Sequence, residues 1–199
     1  MSFRKLRVTL LRLAFIPVVF LAVFVRPNWG LESDVAFGVE LVGYAFLLAG
    51  VSVRIWSILY VGGRKSQELI TDGPYSLCRH PLYVGSFLLT IGAGLCFENI
   101  PMLAAGLLIV LPVHVIVARM EERHLTEKFP QEYPPYAQQV PRFWPRLRNY
   151  RSRESIFVPI WAIRRIAIDV LGVMLIPEVE DMLEVLHQHG LLPTVWHFP

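Results

Sequence analysis

The sequence predicts an all-α fold, a polytopic membrane helical bundle with four transmembrane helices and a fifth apolar block that can be read in two ways. Three observations predict it. Hydrophobic residues make up 54% of the chain and charged residues only 18%, more apolar than a soluble domain. The apolar residues are gathered into blocks long enough to cross a bilayer. The basic residues sit beside alternate ends of those blocks, the asymmetry that sets membrane orientation. The formal net charge of +3 is thereby accounted for by the membrane, and no nucleic-acid partner is expected. With 199 residues the chain has room for one domain.

The first block, Val8–Val25, carries Arg12 near its start and Pro17 within it, a residue that membrane helices tolerate. No small-residue cleavage site follows it, so it reads as a retained span. The second block, Val35–Val61, contains Glu40 and Arg54. An arginine at the bilayer centre costs about 2.5–3.5 kcal/mol, so Arg54 is expected near the interface or facing a protein-lined cavity. The third and fourth blocks, Leu82–Phe97 and Met102–Ala118, are separated by Asn99-Ile100-Pro101 and predict an antiparallel helical hairpin. Ser155–Ile176 is apolar but holds Arg164, Arg165 and Asp169. It is either a fifth span with Arg165 and Asp169 paired across one turn or a helix in the interface plane. After Pro177, EVEDMLEVLHQHG predicts a short acidic amphipathic helix capped by Gly190.

Lysine and arginine place the amino terminus, the 62–81 loop and the 119–154 segment together on the cytoplasmic side. The opposite loops carry only Arg26, with Glu32 and Asp34, and Glu98. Cys78 and Cys96 are not expected to form a structural disulfide. His187 and His189 are two apart, without a cysteine cluster, so no metal site is expected. His114, inside the fourth block, reads as a packing or hydrogen-bonding residue.

The chemistry is concentrated in GPYSLCRHPLYVG, residues 73–85. Pro81 suits the first turn of a helix, so the third span should begin there. Arg79 and His80 then stand at a helix amino end, where the macrodipole favours an anion. A ligand carboxylate or phosphate would resolve that mismatch; lipid headgroups are the alternative. The second concentration is Arg119-Met120-Glu121-Glu122-Arg123. Its paired carboxylates suit a ligand ammonium or ribose hydroxyls, or a solvated face. In the EKFPQEYPPYAQQVPRFWP that follows, Phe129, Tyr133, Tyr136, Phe143 and Trp144 suit an interface belt or the cover of a ligand.

Together, GPYSLCRHPLYVG and EERHLTEKFPQEYPPYAQQVPRF resemble the isoprenylcysteine carboxyl methyltransferase and phospholipid methyltransferase group of integral membrane enzymes. The resemblance covers about residues 40–145. It implies an S-adenosylmethionine-dependent methyltransferase acting on a lipid or small apolar acceptor that arrives from the bilayer. It implies that His80, Pro81, Leu82 and Tyr83, with Arg79 and Tyr75, contact the cofactor, that Gln67, Glu68, Leu69 and Ile70 lie along it, and that Glu121 holds its amino acid end. Arg119 and Glu122 are the catalytic candidates. The chain departs from the group at Pro130, where a glycine is usual, and at Val117, where the carboxyl methyltransferases carry an arginine four residues before the glutamate. A prenylated cysteine carboxylate is therefore not the expected acceptor. The expected organisation is a methyltransferase domain over residues 1–154 and an apolar to amphipathic extension over 155–199, in a bacterial or archaeal inner membrane. An NADPH-dependent membrane reductase akin to the sterol and steroid reductases is the alternative, disfavoured by Glu121-Glu122 where a phosphorylated dinucleotide calls for basic residues. A non-catalytic scaffold is a third reading, which the intact motif opposes.

Overall fold

The computed structural model describes residues 16–26, 34–64, 68–193 and 196–197. Residues 16–24 are helical (α1), and the helices α2 (Asp34–Val61), α3 (Pro74–Leu77), α4 (Pro81–Cys96), α5 (Ile100–Lys128), α6 (Tyr133–Gln139) and α7 (Ile160–Gln188) follow, with a 3-10 turn at Leu147–Asn149. The described strands are two residues long, β1 (Val25–Arg26) and β2 (Trp196–His197), paired in parallel. The chain is thus helical but for that one pairing among its described residues.

The expected spans fare unequally. Among the described residues two helices are long and apolar enough to cross a membrane, Asp34–Val61 and Ile100–Lys128. The second and fourth expected spans lie within them. Pro81–Cys96 has 16 residues, about 24 Å at 1.5 Å per residue, short of the roughly 30 Å hydrocarbon core. Of the four expected spans, two are thus matched among the described residues by helices of spanning length. The first half of the expected Val8–Val25 span lies outside the described residues. The fifth block also needs correction: α7 starts at Ile160, not Ser155, and runs unbroken through Pro177 to Gln188. A proline inside a helix removes one backbone hydrogen bond, and a helix of this length keeps the others. Gly190, with φ 68°, ends it as expected, and Leu191 donates its N–H to Leu186 O at 3.0 Å.

The chain divides into two compact units, each made of separate stretches. In the unit of residues 1–48, 87–113 and 172–199, helices approach backbone to backbone. A Cβ on Gly92 would lie 2.8 Å from Leu47 N and 2.9 Å from Gly43 O, and one on Gly94 2.6 Å from the Leu103 Cβ. Small residues at such contacts are the usual means of packing apolar helices. The expected hairpin is formed: α4 ends at Cys96, α5 starts at Ile100, and Asn99 Oδ1 accepts the Met102 N–H at 2.9 Å as an N-cap.

The unit of residues 49–86 and 114–171 joins buried ion pairs to an apolar core that includes Ile58, Leu77 and Tyr133. Arg54 donates to Ser86 Oγ at 2.9 Å and to Asp169 Oδ2 at 2.5 and 3.1 Å. The protein-lined setting expected for Arg54 is therefore present. Asp169 is held by Arg54 of α2 rather than by Arg165 across its own helix turn, because a fork-shaped guanidinium that also reaches Ser86 satisfies it with better geometry. Cys78 and Cys96 are both buried and free. Large apolar side chains on the long helices, Phe37, Leu48, Leu108 and Ile116 among them, are exposed.

Candidate functional site

The site is built where α4 begins. Gly73, with φ 58°, opens α3 against the ring of Tyr60, where a Cβ would lie 2.3 Å from Tyr60 Cε1. Its N–H donates to Arg151 O at 2.7 Å. Pro81 is the first residue of α4, as its missing N–H and fixed φ predict. Just before it, the chain runs alongside a later segment: the Arg79 N–H donates to Pro141 O at 2.8 Å, the His80 N–H to Arg142 O at 3.1 Å and the Arg146 N–H to Leu77 O at 3.0 Å. The strap 141–146 is thereby tied to the Arg-His-Pro corner.

The anion that the corner calls for is supplied by the protein itself. Glu122 lies on the polar end of α5, beyond the apolar stretch that closes at Ala118. Its Oε1 stands 3.0 Å from Arg79 Nη1 and 3.1 Å from His80 Nε2. Arg142 closes on both of its oxygens, Nε to Oε1 at 2.9 Å and Nη2 to Oε2 at 2.6 Å. Burial works against this charge, but the hydrogen bonds from His80 and Arg142 and the positive charges of Arg79 and Arg142 outweigh it and bring the Glu122 carboxyl down to about 2. The two glutamates are therefore unlike. Glu122 is buried and engaged by two arginines and an imidazole. Glu121, its side chain 33% exposed, accepts the Tyr83 hydroxyl at 3.0 Å and stands 3.8 Å from His80 Nδ1.

Aromatic rings line up beside this pair. His80 stacks on Tyr83 with centroids 5.3 Å apart and planes 9° apart. The His114 ring meets Tyr83 edge-on at 4.8 Å, and Phe143 approaches His80 at 5.7 Å. Tyr136 donates its hydroxyl to Tyr75 O at 2.8 Å. A cavity of about 230 Å³ opens between α3, α6 and the 3-10 turn, lined by Ser76, Tyr136, Gln139, Asn149 and Arg151 among others.

Of the expected site residues, the structure thus brings Arg79, His80, Pro81, Tyr83, Glu121 and Glu122 into one cluster. Leu82 follows Pro81 in the first turn of α4, and Tyr75 stands on α3. Arg119 is exposed on α5, two residues and about 200° round the helix from Glu121. Glu68 pairs with Arg64 and Arg153, Ile70 is buried and Leu69 is half-buried. Gln67 lies outside the described residues. Two residues of the cluster's surroundings carry no signal of their role in the sequence: Arg142, within VPRF, and Asp72, which is held by Arg64 at 3.0 Å and Arg153 at 2.9 Å. Only the strap geometry shows that Arg142 belongs to the glutamate.

A helical, membrane-type chain with a polar corner at the end of an apolar helix has the class features of a membrane-embedded enzyme. The family model described as phospholipid methyltransferase matches residues 36–132, which hold α2, α4, α5 and all of the cluster but Arg142. The nickel-cobalt-cadmium resistance protein NccN of Alcaligenes xylosoxydans xylosoxydans is 32% identical over 90% of this chain and 84% of its own length. The cobalt-zinc-cadmium resistance protein CzcN of Cupriavidus metallidurans is 36% identical over 74% of this chain and 70% of its own. The protein-S-isoprenylcysteine O-methyltransferase B of Arabidopsis thaliana is 28% identical over 57% of this chain and 56% of its own. No solved structure matched. The chain belongs to the phospholipid methyltransferase family, with a more distant likeness to an isoprenylcysteine methyltransferase.

Proposed function

We propose that the chain is an S-adenosylmethionine-dependent methyltransferase embedded in the membrane, passing a methyl group to a lipidic or small apolar acceptor. The observation that carries this reading is the division of labour between the two glutamates. Glu122 is neutralised by Arg79 and Arg142 and fixes the His80 corner. Glu121 keeps an accessible carboxylate beside the Tyr83 hydroxyl, an acceptor set that fits the ammonium of an amino acid. In this reading Glu121 and Tyr83 hold that end of the cofactor, His80 and Phe143 flank it, and Glu122 positions without reacting. Arg119 makes a polar contact at the interface. The cofactor supplies a methyl group already activated on sulfur, and the protein's task is placement, which can be worth about 7–11 kcal/mol.

The family membership and the paired carboxylates favour this reading over a reductase using NADPH. The relatives' names speak of metal resistance. Among the described residues no group of three or more His, Cys, Asp or Glu side chains is placed to hold a metal ion. For this chain we take metal resistance as the setting in which methyl transfer would act. The amino terminus, the 62–81 loop and the 119–154 segment are assigned to the cytoplasmic side.

Calorimetry on detergent-solubilised protein tests the reading. Wild type should bind S-adenosylhomocysteine and not NADPH. Glu121→Ala, which removes a charged hydrogen-bonding partner, should weaken that binding about ten- to a hundredfold. Unchanged affinity in a folded Glu121→Ala protein would remove Glu121 from the site, and binding of NADPH instead would overturn the function.

A further inference from the structure

We infer that His114 is the base that takes the proton from the methyl acceptor, and that the acceptor is an apolar-tailed thiol or amine, not a carboxylate. The inference rests on the methyltransferase reading above and names the acceptor side of that site.

His114 is the one titratable residue in the apolar stretch 102–118 of α5. It lies seven residues before Glu121, two turns of helix, so the two share a face within about 20°. Tyr83 joins them: its ring meets the His114 ring at 4.8 Å and its hydroxyl donates to Glu121 at 3.0 Å. His114, Tyr83 and Glu121 thus form one continuous polar line from the polar end of α5 into its apolar stretch. The cytosolic end of that line carries a carboxylate suited to a cofactor ammonium. Its other end carries an imidazole beside exposed apolar side chains, Ile116 among them. An acceptor entering from lipid reaches the imidazole first.

The charges decide the class of acceptor. A carboxylate acceptor needs a cation to hold it and no base, since it is already ionised. Arg79 and Arg142 are engaged by Glu122 and Arg54 by Asp169; Arg119 stands about 140° round α5 from His114, Arg165, whose charge reaches Tyr75, is exposed on α7, and Val117 and Ala118, between His114 and Glu121, are buried and apolar. A thiol or neutral amine has the opposite need, because its acceptor atom still carries a proton. As the bond from that atom to the methyl carbon forms, its bond to hydrogen breaks and the proton passes to the His114 imidazole. The electron pair of the broken sulfur–methyl bond stays on sulfur, leaving a neutral thioether. Positioned proton transfer of this kind is worth about 10²–10⁴ in rate.

The test uses the full-length protein in detergent with 1-dodecanethiol, dodecylamine and lauric acid as acceptors. Wild type should methylate the thiol or the amine and not the acid. His114→Gln should keep its S-adenosylhomocysteine affinity within about twofold while kcat falls about a hundredfold or more. Its affinity for the accepted probe, measured by calorimetry without cofactor, should fall about fivefold for one lost hydrogen bond. Added imidazole should restore part of the turnover of His114→Ala, which a side chain that only packs would not permit. Full turnover in His114→Gln, or no rescue of a His114→Ala protein that still binds S-adenosylhomocysteine, overturns the role of His114. Methylation of lauric acid, or of none of the three by a wild type that binds S-adenosylhomocysteine, overturns the acceptor class. Loss of cofactor binding in wild type itself overturns the methyltransferase reading, and this inference with it.

Discussion

In the unit of residues 1–48, 87–113 and 172–199, α2 and α4 meet where Gly43 and Gly92 leave room for each other's backbone and for the Cys96 and Leu47 side chains. In the unit of residues 49–86 and 114–171 the same two helices carry Gly85, and a Cβ there would lie 2.6 Å from Arg54 Cγ. In both places glycine admits a neighbouring backbone, and at Gly85, where a Cβ would also lie 2.9 Å from Gly50 O, it admits in addition an arginine stem on its way to Ser86 and Asp169. The first kind of contact needs only shape, and lipid-facing helices have little else to use. The second brings polar groups into apolar surroundings, tolerable only when each is paired. The difference teaches that the candidate site sits where the fold has committed itself to charge, and that the two units should fail in different ways.

The largest expected effect is at Glu122. Glu122→Ala leaves Arg79 and Arg142 facing each other without their anion, and breaking a buried pair in this way costs about 3–5 kcal/mol. Thermal unfolding in detergent should show a pronounced loss of stability, together with loss of S-adenosylhomocysteine binding. A variant that kept its wild-type midpoint would show that charge does not hold this unit. Acid offers a partial version of the same experiment. The Glu122 carboxyl is lowered from 4.5 to about 2 in the folded protein, so its contribution is complete above pH 4.5 and is lost as pH falls towards 2. Wild type should weaken across that window, and Glu122→Gln, already uncharged, should follow a flatter curve.

Next comes Gly92→Val in the other unit. Its branched side chain would meet Leu47 N and Gly43 O, atoms of backbone that cannot rotate away. Overpacking costs about 1–3 kcal/mol, and the loss should be independent of pH and salt. A salt-sensitive loss would blur the contrast between the units. The smallest effect is expected at Arg123→Ala. Its pairing with Glu127 at 3.7 Å joins side chains that are 85% and 68% exposed, worth under about 1 kcal/mol. An unfolding midpoint moved as far as that of Gly92→Val would mean that exposed charge matters here as much as buried charge.

What the sequence determined by itself was local. The apolar run 35–61, the proline that starts α4, the turn at Asn99 and the glycine that ends α7 each depend on neighbours a few residues away, and each stands in the structure. The residues that carry the resemblance were legible too, since a motif is a string. Three things were decided only in three dimensions. The partner of Asp169 is Arg54, 115 residues away, where helix periodicity offered Arg165. An anion at the Arg-His-Pro corner is Glu122, because α5 brings its polar end to the start of α4. Arg142 closes on that glutamate because the strap 141–146 pairs its backbone with residues 77–80. Hydrophobic periodicity records which residues avoid water. It holds no record of which charge meets which, because a pairing energy depends on distance in space, and Arg54 with Asp169 and Glu122 with Arg79 and Arg142 meet across segments far apart in the chain.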